Sequence, residues 1–142
     1  MSAIASVLEA LLAETRASRV TLRRGSHDGY AFPVTDEALE PGVASLRAER
    51  TVDLRRQPVA REVRRTGQVV QDDCRAAYPG DAAFHRMLDA YGGLGAQIVT
   101  AVVVDGDAAA ILSVHQLGSP RTWTEDEIEA CRRVAARIAE AI

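Results

Sequence analysis

Apolar positions recur at helical spacing at both ends of the chain, and alternate in strand fashion between them. Ile4, Val7, Leu8, Leu11 and Leu12 fall at i, i+3, i+4, i+7 and i+8, which predicts an amphipathic helix from about Ser2 to Thr15. Arg19 to Arg24 reads as a strand, with Val20 and Leu22 on one side and Thr21 on the other. Gly25 to Gly29 is a turn that exposes His27. Tyr30 to Val34 then returns as a second strand, which Pro33 assigns to a sheet edge. Thr35 to Arg56 holds no sustained period and is expected to be a long surface connection.

Pro58 suits the first turn of a helix that Gly67 stops, with Val59 and Val63 pointing inward. Gln68 to Gln71 is a short strand that delivers Asp72 and Asp73 to its end. Asp81 can cap a helix whose Phe84, Met87, Leu88 and Tyr91 make one apolar face, closed by Gly92-Gly93. Ile98 to Val104 and Ala109 to Val114 form a hairpin about Asp105-Gly106-Asp107, and the second strand ends in His115-Gln116. Thr124 and Glu127 are spaced as a capping box for a last helix with Ile128, Cys131, Val134, Ala135, Ile138 and Ile142 as its stripe. The order predicts one α+β domain over residues 1–142: an antiparallel sheet of about five to six strands, terminal helices on one face, loops and short helices on the other.

Composition narrows the functional classes. The net charge of −3 argues against a nucleic-acid partner, which would require a basic face. No apolar run approaches the roughly 20 residues needed to span a bilayer, and Met1-Ser2-Ala3 leads straight into a helix, so a cytoplasmic domain without a membrane partner is expected. All 17 basic residues are arginines; with heavy alanine use, this reads as coding bias, and Arg61, Arg64 and Arg65 as a solvated face. Cys74 and Cys131 have no metal or disulfide spacing. No catalytic triad, phosphate loop or metal-ligand pattern emerges, so no catalytic residue is assigned and no metal or cofactor is required.

Several motifs together resemble a GAF domain over essentially the whole chain, and within that family the bilin-binding branch of phytochromes and cyanobacteriochromes. Val69-Val70-Gln71-Asp72-Asp73 resembles the strand and acidic pair before the chromophore-facing helix. Phe84-His85 falls where many cyanobacteriochromes carry Cys-His. Gly93-Leu94-Gly95-Ala96 resembles the glycine-led pocket strand, and His115-Gln116 with Pro120-Arg121 and Trp123 resembles the ending before the last helix. The resemblance implies a PAS-related fold with a ligand pocket beneath the loops. It departs from the bilin pattern at Phe84, which replaces the thioether cysteine, so covalent attachment is disfavoured.

The resemblance places Gln97 and Val99 of one strand, and Ile111, Ser113 and His115 of the next, on the pocket side. His115 there could exchange a hydrogen bond with a ligand and titrate near neutral pH, and a buried Gln97 would need partners. His85 points either into the pocket or to solvent. Asp72 and Asp73 either cap the next turn or meet a cationic ligand. Tyr30, Phe32, Phe84, Leu88 and Tyr91 would supply apolar walls. The expected function is a sensory domain that binds a small molecule non-covalently and signals through a homodimer of its terminal helices. Two alternatives carry less support: a photoreceptor or redox sensor holding a bilin or haem non-covalently, and an enzyme like the free methionine sulfoxide reductases. The latter need a nucleophilic and a resolving cysteine near the pocket.

Overall fold

Ser2 accepts a hydrogen bond from the Ala5 backbone N–H and starts helix α1 (Ala3–Thr15). The computed structural model describes residues 2–25 and 33–142, so His27, Tyr30 and Phe32 lie outside the described residues. Strands β1 (Arg19–Arg24), β2 (Val34–Leu39), β3 (Gln68–Gln71), β4 (Leu94–Val104) and β5 (Asp107–Leu117) form one antiparallel sheet in the order β2-β1-β5-β4-β3. Helices α2 (Pro58–Thr66), α3 (Ala82–Ala90) and α4 (Glu125–Ala141) complete the fold.

The long β4–β5 hairpin is the centre of the sheet. It turns at Asp105-Gly106, both at positive φ, as a tight two-residue hairpin needs. Strand alternation then divides the interior into two cores. Ile98, Val102, Leu112 and Val114 face α1 and α4, whose Leu8, Leu11, Leu12, Cys131, Val134 and Ile138 cover them. Val99, Ala101 and Ile111 face the other way, against Val63 of α2, Phe84 and Leu88 of α3, and Leu46 of the 40–57 segment. The sheet is thus covered on both faces, and terminal helices occupy one of them alone. Thr124 and Glu127 make both hydrogen bonds of the capping box that starts α4.

Two strand boundaries differ from the sequence reading. The edge strand described is Val34–Leu39, where the sequence predicted Tyr30 to Val34 and a loop beyond. Asp36 and Glu37 disguise it, because an edge strand tolerates charge that a central one would not. β4 begins at Leu94, four residues before the predicted Ile98, and runs through Gly95. A β-carbon on Gly95 would sit 2.0 Å from the Ser119 carbonyl oxygen, so glycine here admits a crossing backbone and does not mark a turn. No helix among the described residues is long and apolar enough to cross a membrane.

Candidate functional site

Because side chains alternate along a strand, β1, β4 and β5 present Arg19, Thr21 and Arg23; Gln97 and Val99; and Ile111, Ser113 and His115 on the face away from the terminal helices. α2, α3 and the 40–57 segment roof this face. Between sheet and roof lies a cavity walled by Arg23, Tyr91, Gln97, Ser113 and His115 on its polar side. Leu54, Val59, Val63, Met87, Val99 and Ile111 form its apolar side. About 40 Å³ is open to the centres of water molecules, room for two or three.

Arg19 organises the polar wall from behind. It is 1% exposed, and its guanidinium donates to the Tyr91 carbonyl at 2.7 Å, the Ala44 carbonyl at 3.2 Å and His115 Nδ1 at 3.0 Å. It therefore ties the roof, the end of α3 and β5 together. Burial lowers its pKa to about 10, a shift opposed by the charges of Glu37 and Tyr91. A guanidinium only donates, so Nδ1 must be the unprotonated nitrogen of His115 and Nε2 must carry the proton. Burial, reinforced by the charges of Arg19 and Arg23, holds the His115 pKa well below its usual range. This corrects the expectation that it titrates near neutrality: His115 is a fixed neutral imidazole. The Tyr91 ring stacks on it at 6.0 Å, and Arg23 donates to the Tyr91 hydroxyl at 3.0 Å.

Of the sequence candidates, the structure places Tyr91, Gln97, Val99, Ser113 and His115 on the cavity wall. Gln97 is held by a 2.9 Å bond from its amide to Gln71 Oε1. Phe84 and Leu88 are fully buried in the roof core, behind the wall; Phe84 meets the Tyr78 ring edge-on at 4.8 Å. His85 points elsewhere, with Nε2 donating to the Ala77 carbonyl at 3.0 Å. Asp72 and Asp73 serve the backbone: Asp72 accepts from the Trp123 N–H at 3.2 Å, and Asp73 caps the short 3₁₀ turn Cys74–Ala76. Trp123 also donates from its indole to the Gln71 carbonyl at 3.1 Å, which locks the entry of α4 onto the end of β3. Sequence reasoning missed Arg19, Arg23 and Met87 as builders of the site. The period-2 pattern did put Arg19 and Arg23 on the parity of Thr21, but nothing in it signals that a loop covers them.

Both thiols are buried, and burial pushes each up to about 12, with help from Asp73 at Cys74 and from Glu127 and Glu14 at Cys131. Cys74 donates to Gln71 Oε1, and Cys131 lies beneath α4 across the sheet from the cavity. Neither is poised as a nucleophile.

The sequence profile described as GAF domain matches residues 2–142. This chain belongs to the GAF domain family. Solved GAF structures share its fold. The blue-light-absorbing form of the PixJ GAF domain from Thermosynechococcus elongatus is 23% identical, with TM-score 0.75 over 97% of this chain and 83% of that one. The phycocyanobilin-bound GAF domain of a cyanobacterial phytochrome is 21% identical, with TM-score 0.77 over 97% and 83%. The photoproduct state of GAF3 from Slr1393 of Synechocystis sp. PCC6803 is 16% identical, with TM-score 0.78 over 97% and 92%. No curated protein matches the chain. The residues of this GAF domain do not fit a tetrapyrrole: a fully buried Phe84 stands at the position where the resemblance expects cysteine, and the cavity is far below the roughly 300 Å³ at which ligand pockets begin.

Proposed function

We propose that this GAF domain is a sensory module that binds a small organic molecule non-covalently in the cavity between sheet and roof. The observation that carries this reading is the cavity itself, in which polar side chains converge on one wall of an otherwise apolar space. Ligand occupancy is relayed to the terminal helices through β5, whose alternate residues line the cavity and underlie α1 and α4. Binding shifts the equilibrium between two arrangements only in proportion to its differential affinity for them.

We further propose that α1 and α4 form the interface of a homodimer. Their main stripes are consumed by the sheet, but Ile4, Val7 and Ile142 remain partly exposed and extend the apolar surface outward.

A thermal-shift screen of metabolites tests the site. A ligand at a hundredfold excess over its Kd should raise the melting temperature by about 5 °C or more. Gln97→Ala, or filling the cavity with Val99→Phe, should abolish that rise. Hits whose stabilisation survives both changes bind elsewhere, and a screen without cavity-directed hits defeats the sensory reading.

A further inference from the structure

The cavity wall is a set of hydrogen-bond donors without acceptors. His115 Nδ1 is occupied by Arg19, so its Nε2–H is left facing a space with no partner among the described residues. The Tyr91 oxygen accepts from Arg23, so its own proton likewise lacks a described acceptor. Ser113 is 7% exposed, and its hydroxyl makes no bond to any described residue. Directly across the strand pair stands Thr21, 1% exposed, with a buried hydroxyl oxygen that has no partner. Buried polar groups in this state cost stability until something satisfies them.

The charges agree with the donor count. Arg23 is the charged residue on the described wall, and no carboxylate lines it. Glu37 and Glu49, the acidic groups whose charges reach Arg19 and Arg23, are spent on the roof. Glu37 accepts from the Leu46 N–H and the Ser45 hydroxyl, and Glu49 from the Val52 N–H and the Thr51 hydroxyl. A cation entering this space would meet like charge and find donors pointing at it. An anion would meet an arginine, an imidazole N–H and hydroxyls, the arrangement that makes a buried carboxylate tolerable.

Volume then sets the shape. The inner space holds two or three waters, which is about one carboxylate head group. Beyond it Met87 stands on two walls at once, that of the inner cavity and that of an outer cleft of about 200 Å³ between the start of α2 and α3. An unbranched thioether side chain is the kind of barrier that can be pushed aside without rebuilding the backbone. Resting on the sensory reading above, we infer that the ligand is an apolar carboxylic acid. Its carboxylate seats on Arg23, Ser113, His115 and Tyr91, and its hydrocarbon body runs past Met87 into the outer cleft.

Calorimetric titration of the full chain with 4-methylpentanoate, 4-methylpentanamide and 4-methylpentan-1-amine tests this, since the three share one tail and differ in head group. The acid should bind at least about tenfold more tightly than the amide, and the amine not at all. Ser113→Ala, a minimal change, should weaken the acid by about tenfold, and Arg23→Gln should bring acid and amide to parity. Equal binding of acid and amide by the unaltered chain, preference for the amine, or no binding by any of the three overturns the carboxylate assignment. The sensory reading falls separately, only if the wider metabolite screen finds no cavity-directed ligand of any charge.

Discussion

Holding one imidazole neutral behind two arginines has a thermodynamic signature. The unfolded chain takes up a proton on His115 near pH 6.5, whereas the native state refuses it until well below that value. Below pH 6.5 the unfolded state therefore binds more protons, and stability must fall as pH drops. The slope from this residue approaches about 1.4 kcal/mol per pH unit. His115→Gln keeps an acceptor for Arg19 and removes the titration, so its stability between pH 6.5 and 5.5, measured by urea unfolding, should decline less steeply than that of the parent. Identical slopes would mean that the ring is protonated in the folded protein. The side of the sheet taken by His115, Gln97 and Ser113 could be read from strand parity together with the resemblance. What Arg19 does could not: arginine on a strand ordinarily marks solvent, and only the packing of Leu46 and Ala44 over it turns that reading round.

At the scale of elements, both helix caps of the C-terminal half and the hairpin turn are written in residue types whose chemistry admits few alternatives. That is why Asp81, Thr124 and Asp105-Gly106 stand where the sequence put them. The misses fall where tertiary contacts decide. Val34–Leu39 is a strand because β1 offers it a partner, not because its own residues demand one. Gly95 reads as a loop residue until the backbone of Ser119 is seen lying against it. Gly95→Ala forces that crossing apart and should cost about 2 kcal/mol or more, a drop in melting temperature of about 5 °C or more. A melting temperature unchanged by the substitution would show that Ser119 does not pass there. Gly93→Ala is the useful comparison, since open space surrounds it and its cost comes from positive φ alone.

For the whole molecule, the two-core arrangement means that a signal born in the cavity must cross the sheet before it reaches the terminal helices. Light scattering should give about twice the 15.3 kDa chain mass at micromolar concentration if those helices dimerise. A single-chain mass would remove the dimer from the proposal and leave the cavity untouched. The layer order was legible because terminal stripes and alternating strands admit few arrangements. The volume of the cavity was not, since it depends on how far Met87, Leu54 and Val63 settle into the space, and no spacing of residues encodes that.

Arg121 is where the two terminal helices meet. Its guanidinium lies 4.3 Å from the centre of the Trp123 ring. It also donates to the carbonyl of Thr15 at the end of α1, to Gln116 Oε1 beyond the cavity strand, and to the Glu127 carboxylate in the first turn of α4. One side chain thus rivets the tail of one helix to the head of the other. Whatever strain reaches either is shared at once, and the pair can only swing together as a single lever hinged on that rivet.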